Sequence, residues 1–292
     1  MPVQEARKHH FVPEFLLKPW ATEGSLRGYW WDSRKGALSC KRKGPDAFCF
    51  QVDLLTLSAN KIGRDVLERL PFGHIDAAGA KVRDRLLTHG PESLSGDERC
   101  DFARLLLSLD GRRPATVAKL RAAGRGMAEM LDSDPEILAA LGERGLAEAP
   151  SIYYERTTGV LLEDRALLRI QRLVDNREVG GRLINAHWHI VRLGPSDGSF
   201  VLADRPLIRV KAYDHPGAVW ALPLTPKVAF VALNHLENLA RIKRAPPRRF
   251  AKRTNVSSAG QAERFIFASD TSHEHWMCKY LARTARRRSC GP

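Results

Sequence analysis

The sequence predicts an α+β protein with an N-terminal β element, a helical middle and a mostly antiparallel sheet towards its C-terminal end. Residues 26–31 and 37–41 flank a turn-forming Asp-Ser-Arg-Lys-Gly segment, which is typical of a β-hairpin. Between residues 60 and 178, apolar side chains recur at helical spacing. After residue 182 they alternate or form short runs between prolines, which indicates strands.

The size and composition are those of an ordinary globular protein. The 292 residues are 43% hydrophobic and 27% charged, so the chain can bury a substantial core in one large domain or two modest ones. We expect one intertwined α+β domain over residues 1–275, with a change of layer near residue 182, because the N-terminal segment is expected to pack against the later sheet. Residues 276–292 are expected to form a basic C-terminal helix and tail.

Targeting signals and cysteine usage bear on location. No apolar run is long enough to cross a membrane, and no uninterrupted apolar stretch follows Arg7 and Lys8 as in a signal peptide. The five cysteines are odd in number and form no C-x-x-C pair, which favours reduced thiols. These observations predict a cytoplasmic protein without a membrane partner, and they leave the oligomeric state open.

The charge of the chain indicates a class of partner. The formal net charge is +14 and the sequence pI is near 9.9. A surface of this sign attracts polyanions, so DNA or RNA is a candidate partner. The alternative is that the arginine-rich composition reflects only a GC-rich genome.

Two adjacent histidines, His9 and His10, lie shortly before Pro13. Neighbouring side chains point to opposite faces of a strand and diverge by about 100° on a helix, so these two histidines cannot easily bind one metal. We expect one to face a polar cavity as a catalytic acid or base and the other to make a structural hydrogen bond; a structural role is the alternative for either. Pro13 suits the start of a short helix over residues 14–17.

The helical middle is predicted from apolar stripes and helix-start signals. A first stripe contains Ile62 and Leu70, and a second covers residues 74–87. Ser95 and Glu98 predict a capping box at the start of a third helix. Further helices are expected over residues 115–131, from Asp134-Pro135 onwards, and over residues 163–178, where Gly180-Gly181 would end the last of them.

Arg113 follows the break at residues 110–112 and precedes Pro114. A guanidinium fixed in this way is a candidate clamp for an oxyanion or a phosphate. The alternative is an ion pair with Glu68 or Asp76 within the helical layer.

The β-rich segment carries candidate metal ligands. Residues 184–193 alternate as a strand, and His187 and His189 share one of its faces, which is a sounder metal pair than His9 and His10. Asp204 follows a short strand over residues 200–203 and is a candidate acid, base or metal ligand. Further strands are predicted over residues 207–210, 219–222 and 228–233.

The C-terminal region contains a basic run. Residues 241–253 hold seven cationic residues and no acid, and we expect them to contact nucleic acid: Arg241, Lys243, Arg244, Arg248, Arg249, Lys252 and Arg253. Helices are predicted over residues 260–267 and 272–287.

Several well-defined motifs are missing from the sequence. It contains no P-loop, G-x-G-x-x-G, G-x-S-x-G or H-E-x-x-H pattern and no zinc-ribbon cysteines, which disfavours P-loop, Rossmann and serine-hydrolase chemistry. The remaining histidines, carboxylates and arginine suit either a phosphodiesterase assisted by a divalent metal or a metal-free ribonuclease.

Two short segments carry a family resemblance. The His-His-Phe-Val-Pro start at residues 9–13, and Asp204-x-Pro206 followed by Pro-Leu-Thr-Pro at residues 223–226, resemble the bacterial family called domain of unknown function 4238. The resemblance covers roughly residues 7–270, and the family commonly has a serine where this chain has Ala203. It implies that the following residues are family signature positions: Pro13, Glu68, Asp76, Arg113, Pro114, Pro206 and Asn255. The family has no established activity, so the resemblance implies no reaction.

Three functional hypotheses follow from these residues. The first is a nuclease in which His9 or His10 is the acid or base, Asp204 a carboxylate partner or metal ligand, and Arg113 a phosphate clamp. The second is a non-catalytic nucleic-acid-binding or regulatory protein that uses residues 241–253. The third is a structural protein whose polar signature residues form a buried hydrogen-bond network.

Overall fold

The computed structural model describes residues 7–58 and 65–289. The N-terminal part contributes four strands and a short helix: β1 (Lys8–His10), α1 (Glu14–Leu17), β2 (Leu26–Asp32), β3 (Ala37–Lys43) and β4 (Phe50–Val52). β1 pairs antiparallel with β4, and β2 with β3 as the predicted hairpin. Helix α1 begins directly after Pro13, as predicted.

A layer of helices follows. Its first turn is a π-helical segment over Glu68–Phe72, and eight α-helices come after it: α2 (Gly73–His89), α3 (Gly96–Gly111), α4 (Pro114–Ser133), α5 (Pro135–Glu143), α6 (Pro150–Thr158), α7 (Leu162–Leu168), α8 (Ile170–Val174) and α9 (Arg177–Asn185). The capping box of α3 is confirmed, since the Glu98 N–H donates to Ser95 and the Ser95 N–H to Glu98. Ile62 of the first predicted stripe lies outside the described residues.

The prediction of one helix over residues 163–178 is wrong. The segment forms α7 and α8, and a new helix, α9, begins after Asn176, whose side chain accepts the Val179 N–H at 2.9 Å. Gly180 and Gly181 lie inside α9. Gly180 is buried near Leu107 of α3, so α9 continues through this glycine instead of ending at it. The following strand accordingly begins at residue 187, not at 184.

The C-terminal part contains six strands and three helices: β5 (His187–Arg192), β6 (Leu202–Ala203), β7 (Ile208–Val210), β8 (Val219–Thr225), β9 (Val228–Leu233), α10 (Leu236–Arg244), α11 (Pro247–Gln261), β10 (Ile266–Ala268) and α12 (Glu274–Ser289). Two four-stranded sheets result, with the orders β5-β9-β8-β7 and β3-β2-β10-β6. All neighbouring strands are antiparallel, which confirms the predicted α+β class.

The prediction of a helix over residues 260–267 is also wrong. Helix α11 ends at Gln261, and β10 lies between β2 and β6. Phe265, Ile266 and Phe267 are all buried, as expected for a central strand covered on both faces. Such a short apolar run has no periodicity that distinguishes a strand from a buried helix.

Contacts between distant parts of the sequence form the core. β2 pairs with β10, so the two ends of the chain share one sheet. The Trp20 Nε1–H donates to the Phe200 carbonyl at 2.9 Å, and Phe102 of α3 packs edge-on against Phe230 of β9. Helix α12 packs on α11, β2 and β3. None of the helices in the described parts of the chain is long and apolar enough to cross a membrane.

Candidate functional site

His9 is a buried structural residue. It lies on β1, and the Leu55 N–H donates to its Nδ1 at 2.9 Å. Since Nδ1 accepts, the neutral ring carries its proton on Nε2. This contact fastens the segment after β4 to β1 and corresponds to the structural hydrogen bond expected for one of the two histidines.

His10 occupies the opposite face of β1 and is partly exposed. Its Nε2 lies 3.2 Å from the Asp46 carbonyl oxygen and 3.9 Å from Glu14 Oε1 on α1. The ring also packs against Phe50, with 5.8 Å between the ring centroids. His10 is therefore the more accessible of the two histidines, and it has a carboxylate beside it.

Asp204 is buried at the end of β6, and backbone groups surround its carboxylate. The N–H groups of Glu263, Arg264 and Phe265 donate to it at 2.7, 2.6 and 2.9 Å. Burial raises the pKa of Asp204 to about 6, against the lowering effect of these three hydrogen bonds. The carboxylate thus fixes the loop between α11 and β10.

The residues predicted to bind a metal do not come together. His187 and His189 share a face of β5 in one sheet, whereas Asp204 follows β6 in the other and is held by backbone N–H groups. Among the described residues, no three His, Cys, Asp or Glu side chains form a group that could hold a metal ion. Burial and the nearby Lys243 lower the pKa of His189, which favours the neutral ring.

The corner between α3 and α4 contains a buried arginine, Arg112, that is absent from the predicted site residues. Its side chain is fully buried and donates to both carboxylate oxygens of Asp76, at 2.9 and 2.5 Å. It also donates to Ser108 Oγ at 3.0 Å and lies over the Phe72 ring. The ion pair considered for Arg113 is therefore made by its neighbour. The spacing of Leu105, Ser108 and Arg112 along the buried face of α3 is the sequence signal that identifies it.

Glu68 lies in the π-helical turn near this ion pair. Burial raises its pKa to about 7, while Arg112 lowers it and Asp76 raises it. Its Oε2 is buried and has no hydrogen-bond partner among the described residues. Glu68 thus can exchange a proton near neutral pH, and π-helical turns are frequent at functional sites.

Arg113 points away from Asp76 into a second group, here called the arginine cluster: Arg113, Arg205 and Arg209 with the carboxylates of Asp110 and Glu263. Arg113 Nη1 lies 3.3 Å from Glu263 Oε1. Asp110 lies 4.0 Å from Arg113 Nε, 3.8 Å from Arg205 Nε and 2.9 Å from Arg209 Nη2. The structure therefore brings the Arg113-Pro114 pair next to the Asp204-x-Pro206 segment, which contains Arg205.

A separate basic surface lies on α10 and α11. The seven cationic residues of residues 241–253 are all exposed, and we call them the basic surface: Arg241, Lys243, Arg244, Arg248, Arg249, Lys252 and Arg253. Ile242 and Phe250 pack against the core from the inner sides of the two helices. Within the described parts of the chain, none of the seven cations forms an ion pair.

Asn255 fastens the basic surface to the rest of the molecule. It is buried on α11, where its Oδ1 accepts the Val201 N–H at 3.0 Å and its Nδ2 donates to the Ser199 carbonyl at 2.9 Å. Asn255 therefore has a structural role in the position where the family resemblance predicts a signature residue.

A Ser–His pair for which the sequence contains no motif lies beside Asn255. Ser199 Oγ is 2.7 Å from His273 Nε2, and the Trp276 Nε1–H donates to His273 Nδ1 at 3.0 Å. Because Nδ1 accepts from Trp276, the neutral ring carries its proton on Nε2 and donates it to Ser199. The hydrogen bond thus runs in the wrong direction for a histidine base that activates a serine. Burial lowers the pKa of His273, which keeps the ring neutral.

One protein family matches most of the chain. The family described as Protein of unknown function (DUF4238) matches residues 8–272. The chain belongs to this family. Searches of curated proteins and of solved structures found no match. The description of DUF4238 names no activity.

Proposed function

We propose that this DUF4238 protein binds nucleic acid through the basic surface on α10 and α11. The observation that carries the proposal is the exposure of seven Lys and Arg side chains with no acid among residues 241–253. This segment alone supplies half of the formal net charge of +14. Cations that are not neutralised by neighbouring carboxylates can replace the counterions of a phosphate backbone, and the release of those counterions drives binding.

The rigidity of the basic surface supports the same proposal. Apolar contacts of Ile242 and Phe250 and the buried hydrogen bonds of Asn255 hold the two helices on the core. The cations are therefore presented from a folded scaffold, and less conformational entropy is lost on binding than with a disordered basic tail.

The test measures binding of labelled single- and double-stranded DNA and RNA between about 50 and 200 mM salt. We expect affinity to fall steeply with salt, and we expect the Arg248→Ala/Arg249→Ala variant to bind more weakly with a salt slope smaller by up to about 2. The charge-matched control is Arg34→Ala/Lys35→Ala, in the exposed turn between β2 and β3.

Two results would contradict this proposal. One is a nucleic-acid affinity that falls equally in Arg248→Ala/Arg249→Ala and in the control Arg34→Ala/Lys35→Ala, since the basic surface would then have no special role. The other is binding to vesicles of anionic lipid with no binding to any nucleic acid, which would identify a membrane surface as the partner.

Nucleic-acid hydrolysis is the second candidate, and the position of His10 favours it. The partly exposed ring lies 3.9 Å from the Glu14 carboxylate, which can orient it as an acid or base. Arg113 remains the proposed phosphate clamp. Asp204 contributes less to this proposal than the sequence suggests, because three backbone N–H groups already occupy its carboxylate.

A cleavage assay tests the second candidate. DNA and RNA are incubated with the protein and Mg²⁺, Mn²⁺ or EDTA, and His10→Ala is compared with His89→Ala, an exposed histidine at the end of α2. We expect His10→Ala to lower cleavage about 100-fold or more and His89→Ala to leave it unchanged. Cleavage in EDTA would indicate metal-free chemistry. Full activity of His10→Ala would remove His10 from the mechanism.

A further inference from the structure

We propose that the arginine cluster is a binding site for one phosphoryl group. The three guanidinium groups come from three different segments of the chain. Arg113 precedes α4, Arg205 lies between β6 and β7, and Arg209 lies on β7. Groups of like charge repel one another, so a rigid framework is needed to hold them around a single carboxylate, Asp110. The ligand is a tetrahedral oxyanion, either free phosphate or a phosphate within a nucleic-acid strand.

The charges in the cluster do not balance. Three guanidinium groups face two carboxylates, those of Asp110 and Glu263. Burial lowers the pKa of Arg205, and the nearby charge of Arg113 lowers it further, which is the direction expected where positive charge is in excess. One additional negative charge would neutralise the group.

The hydrogen bonds in the cluster are incomplete. Arg113 approaches its carboxylates at 3.3 and 4.0 Å, and Arg205 approaches Asp110 at 3.8 Å, whereas a charge-assisted hydrogen bond is about 2.8 Å long. The Nε and Nη1 of Arg113 and the Nε of Arg205 are buried and have no hydrogen-bond partner among the described residues. Buried donors of this kind are costly, and phosphoryl oxygens are acceptors that suit the planar guanidinium fork.

Helix α4 adds to the positive field. It has 20 residues and begins directly after Arg113, with no acidic residue in its first turn and no side-chain cap. The N–H groups of a first turn lack acceptors within the helix, and the helix dipole favours an anion there. Arg205 and Arg209 are partly exposed, so the cluster is open to solvent on their side.

The experiment uses the full chain and inorganic phosphate, with sodium chloride at equal ionic strength as the reference. We expect phosphate to raise the melting temperature of the wild type and of Arg248→Ala/Arg249→Ala, which lacks two cations of the basic surface. We expect Arg209→Ala to bind phosphate about 10- to 100-fold more weakly by calorimetry. Arg209→Lys should be intermediate, because it keeps the charge and loses the planar fork.

A second arm distinguishes the two sources of phosphate. If the ligand is a phosphate within a nucleic-acid strand, oligonucleotide affinity falls more in Arg209→Ala than in the exposed-arginine control Arg34→Ala. Inorganic phosphate alone then has little effect on the melting temperature. If free phosphate is the ligand, the thermal shift is large and oligonucleotide affinity is unaffected by Arg209→Ala. The phosphate arm does not depend on the nucleic-acid proposal, so the two can fail separately.

The proposal is overturned if phosphate does not stabilise the wild type and Arg209→Ala also binds oligonucleotides as well as Arg34→Ala does. Arg209 is the residue of choice because its side chain is the most exposed of the three arginines, and its replacement is the least disruptive to folding. A circular dichroism spectrum and a melting curve without phosphate confirm that each variant is folded.

Discussion

At the scale of single residues, the neighbours Arg112 and Arg113 have different environments. Arg112 is the C-cap of α3, whereas Arg113 has extended backbone angles before α4, so the two side chains leave the corner in different directions. Arg112 is fully buried and pairs with Asp76, whereas Arg113 reaches Glu263 near β10. The two neighbouring arginines thus have different roles: Arg112 pairs within the core, and Arg113 belongs to a candidate binding site.

Glu68 gives a prediction about pH. Its pKa is about 7 in the folded protein and about 4.5 when exposed, so between these values the folded state holds a proton that the unfolded state has released. The stability that this group contributes is therefore fully present below pH 4.5 and is lost as the pH rises through about 7. We expect Glu68→Gln to melt a few degrees higher than the wild type at pH 8 and at the same temperature at pH 4.

The control for this experiment is Glu92→Gln, an exposed carboxyl that precedes α3. Its melting temperature should follow that of the wild type at both pH values. The raised pKa of Glu68 would be contradicted if the melting temperatures of Glu68→Gln and the wild type differed by the same amount at pH 4 and at pH 8.

At the scale of elements, α11 connects the candidate sites. Its exposed side carries four cations of the basic surface, and Asn255 on its buried side holds it to residues 199–201. At its C-terminal end, the Gln261 side-chain amide donates to the Arg205 and Leu207 carbonyls, directly beside the arginine cluster. One helix therefore carries four cations of the basic surface and contacts the backbone of Arg205 in the arginine cluster.

The anchoring of α11 is tested by Asn255→Ala. This change leaves the Val201 N–H and the Ser199 carbonyl buried without their partners, so we expect a loss of about 2–3 kcal/mol in the free energy of unfolding, measured with urea. The control is Asn185→Ala, whose exposed side chain donates to the Gly181 carbonyl and should cost less than about 1 kcal/mol. Equal losses in the two variants would show that Asn255 does not anchor the helix.

At the scale of the whole molecule, the sheet β3-β2-β10-β6 joins residues from both ends of the chain. The same is true of the core, in which Trp20 contacts Phe200 and Phe102 packs on Phe230. These contacts favour a single cooperative unit. The domain boundaries predicted from the sequence, at residues 275 and 276, remain a prediction, and α12 begins at Glu274.

Fragments of the chain provide the test at this scale. Residues 1–182 and 183–292, produced separately, are each expected to lack a cooperative melting transition, because β2 and β10 lose each other and the shared core is split. When the two fragments are mixed, the transition should return. A fragment that folds alone would show that the layer change near residue 182 is a true domain boundary.

The sequence by itself determined the features that depend on local chemistry. The α+β class, the short helix after Pro13, the capping box of α3 and the position of β9 all follow from turn residues, caps and side-chain alternation. The basic run at residues 241–253 was also evident from composition, although its exposure on two helices was not.

Only the tertiary structure decided which residues meet. The pairing of Arg112 with Asp76 joins α3 to α2, and the arginine cluster joins α3, α4, β7 and the loop before β10, across more than 150 residues. The strand at residues 266–268 was mispredicted for the same reason, since packing against distant segments overrides local propensity. Spacing along a chain fixes which face of an element a residue occupies, whereas the partner of that face is set by the fold.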